Sequence, residues 1–131
     1  MGVRNLFKGA RGWLGSLNNR PLSPFEVSVD DTDVHLVHDA KPEKTAHMTW
    51  SEISHVYAYK QDCFAIDDIR LILVDGQKSI TVSESDRGFS LLVTALTEKL
   101  RGFPKDWFDD IAQPPFKTNL TQLYPEYKSL D

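Results

Sequence analysis

Apolar residues keep two different rhythms along this chain. Between Phe25 and Ser83 they alternate with polar ones, and on either side of that span they recur every three or four positions. Strict alternation sends successive side chains to opposite faces of a strand, so that one face is buried. Phe25, Val27 and Val29 alternate with Glu26, Ser28 and Asp30, predicting a half-buried strand. Asp30-Asp31-Thr32 supplies a turn, and Val34 and Leu36 continue on a second strand. HDAKPEKTA reads as a loop. His47 to Trp50 and Ile53 to Lys60 predict the next strands, with a kink near Ser51-Glu52. QDCFAIDDI reads as a connection, Ile69 to Val74 as a strand, and Asp75-Gly76-Gln77 as a short turn. Ser79 to Ser83 returns antiparallel.

The rhythm becomes helical in SDRGFSLLVTALTEKLRG. Ser85 or Asp86 is the expected N-cap, and Phe89, Leu92, Val93, Leu96 and Leu100 form the stripe to be buried. Lys99 and Arg101 suit the negative end of the helix. Gly102 is placed for a left-handed cap, and Pro104 blocks continuation. A second short helix is expected over Lys105 to Ala112, with Trp107, Phe108 and Ile111 inward. The proline-interrupted remainder, QPPFKTNLTQLYPEYKSLD, predicts an extended tail wrapped on the body.

Ahead of the strands, Val3, Leu6, Phe7, Ala10, Trp13, Leu14 and Leu17 share one helical face, with Arg4, Lys8 and Arg11 largely opposite. Gly9, Gly12 and Gly15 weaken such a helix by about 1 kcal/mol each. NNRPLSP then reads as a linker. Residues 1–24 are therefore an amphipathic basic segment with its linker, and 25–131 a single domain with an extended C-terminal tail. The fold class is α+β: a curved antiparallel sheet or partly open barrel closed by one C-terminal amphipathic helix, preceded by an N-terminal amphipathic helix.

Charge divides along the same boundary. Arg4, Lys8, Arg11 and Arg20 give the first 24 residues +4, while eleven basic and nineteen acidic side chains give the rest −8. An acidic body repels nucleic acid, which excludes that partner class. The basic start reads either as an ordinary helix packed on its own domain or as one making weak peripheral contact with an anionic membrane or a protein partner. Arg4, Leu6, Phe7, Lys8, Arg11, Trp13 and Leu14 are the contacting residues of that reading. A single cysteine, Cys63, permits no disulfide within the chain. No apolar run approaches the roughly 20 residues of a spanning helix. The expected location is the cytoplasm, at most peripheral to a membrane.

Candidate chemistry changes this picture little. Asp62, Asp67 and Asp68 match no calcium loop, and one of them is expected to fix the connection by accepting from backbone amides or pairing with Arg70 or Lys60. Cys63 and His55 lack a third orienting group. His35, His38, His47 and His55 have no spacing that commits them to zinc. The expectation is a protein that is not an enzyme and holds neither metal nor cofactor. Asn119-Leu120-Thr121 is a glycosylation sequon only in a secreted eukaryotic setting. Tyr57 and Tyr59 should share one strand face. If that face lies outside the core, they form, with Lys60 beside them, a partner-binding surface.

Phe25 to Gly102, with Thr49-Trp50-Ser51-Glu52-Ile53 followed by a hairpin and a closing helix, resembles bacterial pleckstrin-homology-like domains. More narrowly, TWSEISHVYAYKQDCFAIDDIRLIL, ESDRGFSLLVTALTEKL and DWFDDIAQPPF with TNLTQLY are similar to a family of small uncharacterised bacterial proteins. The resemblance carries over no functional residues. It implies a non-catalytic interaction domain that binds a protein or peptide, at a membrane surface if residues 1–17 engage one. The alternative reading is an immunity-type protein that neutralises a basic toxin, and a small metal-dependent enzyme stands behind both.

Overall fold

The computed structural model describes residues 23–63, 66–113 and 118–130 and, for residues 62, 63 and 66, the backbone alone. The helix expected over residues 1–17 lies outside them. Strands β1 (Phe25–Val29), β2 (Asp33–His38) and β3 (Ala46–Thr49) form an antiparallel sheet in that order. Trp50–Glu52 is a single 3-10 turn at the expected kink. Then follow β4 (His55–Cys63), β5 (Ile66–Val74), β6 (Ser79–Ser83), helix α1 (Phe89–Lys99), helix α2 (Trp107–Ala112), β7 (Thr121–Tyr124) and β8 (Lys128–Ser129). The second sheet has the order β6-β5-β4-β7-β8. Over the described residues the fold is thus α+β, with two antiparallel sheets and one main helix, and the sheets do not close into a barrel.

The alternation does what its period requires. Val27, Val34, Leu36 and Met48 of the first sheet face the same core as Val56, Ala58, Ile69, Leu71, Leu73, Ile80 and Val82 of the second. Phe89, Leu92, Ala95 and Leu96 of α1 and Trp107 and Ile111 of α2 complete it. Each large aliphatic side chain buried this way contributes about 1.5–3 kcal/mol. Trp50 adds a polar tie: its indole N–H donates to the Asp30 carbonyl at 2.8 Å, pinning the 3-10 turn to the β1–β2 turn.

Two hairpins turn on the same device. The Asp30 carboxylate accepts from the N–H groups of Thr32 (2.9 Å) and Asp33 (2.7 Å). The Asp75 carboxylate accepts from those of Gln77 (2.9 Å) and Lys78 (3.0 Å). A short acidic side chain that takes up two turn amides organises the reversal locally.

Four expectations need correction. The single curved sheet is two sheets, because the 3-10 turn at Trp50 interrupts the ladder and β3 has no pairing with β4. The main helix is not C-terminal: α2, β7 and β8 follow it. The tail is not simply extended, for β7 adds to β4 and buries Leu123, satisfying an edge that a nine-residue strand would otherwise leave open. Finally, neither Ser85 nor Asp86 caps α1. The N-cap is Gly88, at φ +87°, and Asp86 instead accepts the Ser83 N–H at 2.9 Å and the Ser23 hydroxyl.

Gly88 is required twice over. Its φ suits glycine, and a Cβ placed there would stand 2.0 Å from the Val27 carbonyl oxygen. Alongside, the Val27 N–H donates to the Arg87 carbonyl at 2.8 Å, so the approach to α1 docks on β1 as a short parallel bridge. Gly88→Ala should therefore lower the unfolding free energy by about 3 kcal/mol or more, read from urea denaturation. A loss below about 1 kcal/mol would mean the two backbones can separate freely.

The turn carboxylates make an acid-side prediction. Backbone hydrogen bonds from Asp33 and Thr32 hold Asp30 well below its ordinary value of 3.8, and those from Gln77 and Lys78 lower Asp75 in the same direction. A carboxyl with a depressed folded-state pKa stabilises the fold above its unfolded value, and that stability is lost as pH falls through the folded one. Urea midpoints should fall as pH drops from about 5 to about 2, and the slope should flatten in Asp30→Asn combined with Asp75→Asn. An unchanged slope would place the acid sensitivity elsewhere.

Candidate functional site

The period that sends Val56 and Ala58 inward sends His55, Tyr57 and Tyr59 outward. Opposite them across β5 stand Val74, Ile72 and Arg70, and beyond these on β6 stand Ser79, Thr81 and Ser83. His55, Tyr57, Tyr59, Ile72 and Val74 are all half-buried. The His55 ring stacks on Tyr57 with centroids 5.8 Å apart and planes 6° from parallel. The outer face of the hairpin is therefore an aromatic and aliphatic patch with Ser79 and Thr81, both exposed, along its β6 side. Tyr57 and Tyr59 share this face, as expected.

Lys60 does not belong to it. As the next residue after Tyr59 it points the opposite way, where its side chain is 2% exposed. Its ammonium donates to the Ala112 carbonyl at 3.0 Å, at the end of α2, and lies 3.6 Å from the Asp67 carboxylate. A cation suits the negative end of a helix. The charge that does flank Tyr59 is Arg70, its cross-strand partner.

A dense polar network fixes Arg70. Its Nε donates to Asp68 at 2.9 Å. The Asp68 carboxylate, nearly buried, also accepts from the hydroxyls of Ser83 (2.7 Å to the nearer oxygen) and Ser85 (3.2 Å). Burial alone would weaken the Arg70 charge, but the hydrogen bond and charge of Asp68, then Tyr59, hold its pKa above the ordinary value. The backbone of the same loop is tied as well: Glu84 accepts from the Ile69 N–H at 2.8 Å and returns its own N–H to the Ile69 carbonyl at 2.9 Å. Burial pushes the Asp86 carboxyl up, opposed by its hydrogen bonds to Ser23 and Ser83. The arrangement holds one guanidinium rigidly at the rim of the patch.

The expected connection QDCFAIDDI is mostly ladder. Residues Asp62↔Asp67 and Cys63↔Ile66 are paired, so both strands run on into the predicted loop. The sequence points to one of these carboxylates pairing with Arg70 or Lys60, and both cations are in fact engaged: Asp67 lies by Lys60 on the inner face and Asp68 by Arg70 on the outer. Compensation on each face lets an acidic run continue as strand. The side chains of Asp62 and Cys63 are outside the description, as are Arg4, Leu6, Phe7, Lys8, Arg11, Trp13 and Leu14.

The histidines scatter. His35 and His47 sit opposite each other on the first sheet, rings 6.1 Å apart, beside Asp30 and Asp33 respectively. His38 accepts two backbone N–H groups, from Ala40 at 3.1 Å and Lys41 at 3.0 Å. Among the described residues no group of three or more histidine, cysteine, aspartate or glutamate side chains is placed to hold a metal ion. Trp50 and Trp107 are core.

Below α2, Asn119 donates to the carbonyls of Ile111 (3.0 Å) and Gln113 (2.7 Å), closing that helix. The Tyr127 hydroxyl donates to Asp110 at 2.5 Å. Burial, with Asp110, pushes the Tyr127 pKa up to about 12. With Asn119, Thr121 and Ser129 these residues line an open cleft of about 190 Å³, small beside the roughly 300 Å³ at which small-molecule sites begin.

Compared with protein-family models, with curated proteins and with solved structures, the chain matches none. Among the described residues no helix is long and apolar enough to cross a membrane. What sequence reasoning missed is Arg70 as the cation of the face and the serines that anchor it. Only the alternation of β5, carried across to β6, held a signal for them.

Asp68→Ala should cost about 2–3 kcal/mol in urea unfolding, since a partly buried guanidinium loses its carboxylate. Ser83→Ala, which removes one donor among several, should cost about 1 kcal/mol. Equal, negligible losses would show the network to be incidental.

Proposed function

We propose that the chain is a non-catalytic interaction domain of pleckstrin-homology-like form that binds a protein or peptide on the outer face of β4 and β5. The observation that carries this reading is the off-core patch of His55, Tyr57, Tyr59, Ile72 and Val74 with Arg70 braced at its rim. Tyrosine and arginine supply large contact areas and directed donors at little entropic cost, and they recur at the energetic centres of interfaces. The pleckstrin-like description is supported by antiparallel strands packed with one main helix over a shared core. It departs from the expected outline in having a further helix and two strands after that main helix.

The immunity-type alternative rests on the −8 body alone and would give a diffuse, salt-sensitive attraction to a basic partner. Membrane contact through residues 1–17 rests on their spacing and charge.

Peptides selected by display against the full chain should lose about tenfold or more in affinity on Tyr57→Ala and on Arg70→Ala. They should be unaffected by Leu91→Ala, an exposed residue on α1. Binders that are uniformly basic, strongly salt-dependent and indifferent to Tyr57 would favour the immunity-type reading. Binders indifferent to all three changes would remove the proposed face.

A further inference from the structure

The two edges of the longer sheet are unlike, and β6 forms the less protected one. The geometry points to an extended segment of a partner protein adding to the free edge of β6 as a sixth, antiparallel strand. This rests on the reading of the chain as a protein- or peptide-binding domain and adds the form in which the partner binds.

Hydrogen-bond parity locates the free groups. Opposed residues of an antiparallel ladder alternate between pairs that exchange both backbone bonds and pairs that exchange none. At one end of the β5–β6 ladder the Asp75 N–H donates to the Lys78 carbonyl at 3.1 Å, and at the other the Glu84 N–H donates to the Ile69 carbonyl at 2.9 Å. Counting by two from either end makes Leu73–Ile80 and Leu71–Val82 the bonded pairs. Ser79, Thr81 and Ser83 must then direct their N–H and C=O groups away from β5. Ser83 does so: its N–H donates to the Asp86 carboxylate at 2.9 Å, and its carbonyl accepts the Asp86 N–H at 2.9 Å. The backbones of Ser79 and Thr81, both exposed residues, have no such partner among the described residues.

The strand's own sequence does not guard it. Sheet edges are ordinarily protected by charge, proline, a bulge or extreme shortness. SITVS carries neither charge nor proline, and its pairing with β5 runs without a register shift. Elsewhere, the flank of β1 is met by Arg87. β3 comes near β6 but pairs with β2 alone.

Side chains set the chemistry of the partner. Thr81 stands opposite Ile72 and Ser79 opposite Val74, all on the outer face. An added strand lies about 10 Å from β5, two strand spacings away. Because Ser79 and Thr81 are short, a large side chain opposite them leans over onto Ile72 and Val74. The residues between point to the other side of the sheet. The fitting segment therefore has bulky apolar residues at alternate positions, its backbone supplying affinity and those residues selectivity.

Peptides selected by display against the full chain are the probe. Thr81→Pro removes an N–H that faces the edge and no bond to β5, a change that an edge strand tolerates. It should weaken the selected peptides about tenfold or more, whereas Thr81→Val, which keeps the N–H, should leave them unchanged. Where Thr81→Pro unfolds, N-methylation along the peptide replaces it on the parent chain: alternate positions should lose about tenfold and those between should not. In the free chain, hydrogen exchange at Ile80 and Val82 should be about a hundredfold or more slower than at Ser79 and Thr81, and bound peptide should slow Thr81. Four results would overturn the proposal. Slow exchange at Thr81 in the free chain at any dilution means that the edge is already paired, and slowing that grows with protein concentration assigns it to a second copy. A selection that yields no peptide sensitive to the Thr81 amide, or an N-methyl scan without a period of two, removes the added strand. If selected peptides require Tyr57 and ignore the Thr81 amide, the added strand fails and the face on β4 and β5 stands. If they require the Thr81 amide and ignore both Tyr57→Ala and Arg70→Ala, that face fails and the added strand stands.

Discussion

Val27 and Gly88 meet backbone to backbone, and the rest of the architecture hangs on that contact. Among the described residues the two sheets share no ladder. What joins them is the core and the approach to α1, where the Val27 N–H reaches the Arg87 carbonyl and no side chain intervenes at the next residue. The docking fixes where α1 begins and hence which way its stripe faces. Displace it, and Phe89, Leu92 and Leu96 no longer meet the inner faces of both sheets at once.

The same economy governs the long hairpin. β5 carries consecutive aspartates that a strand must send to opposite faces. Each meets its own cation, Lys60 inward and Arg70 outward. The inward pair joins the hairpin to the end of α2, and the outward pair, with its serines, stiffens the rim of the exposed face. A surface already held in place loses little conformational freedom when something binds it. In this way a feature that stabilises the fold also holds the outer patch in place, as the proposed binding face requires.

Much of this was legible in advance, and the failures have identifiable causes. Alternation placed β1, β2, β4, β5 and β6 and their inner faces, because a two-residue period leaves one choice of side once a core exists. The stripe of α1, the left-handed Gly102 and the inward Trp107 and Ile111 followed from equally local rules. Aspartate in QDCFAIDDI misled, because its turn preference reads alike whether it is solvated or paired, and its partners lie across the ladder. The expectation that Lys60 lies beside Tyr59 on one face fails because adjacent strand residues point apart. The cap falls at Gly88 and not at the expected Ser85 or Asp86, because Gly88 answers to Val27, a contact sixty-one positions distant in the chain. β7 escaped notice because TQLY is too short to show a period, and its reason for being a strand is the open side of β4.

The longer sheet ends, on the β7 side, in a strand of two residues, Lys128 and Ser129. Ladder growth needs a template, and this one tapers to almost nothing before the solvent begins. An incoming chain would have to strip water from an ammonium to gain a pair of hydrogen bonds. The last residues of the ladder thus act as a selvedge, finishing the fabric so that it does not ravel into its neighbours.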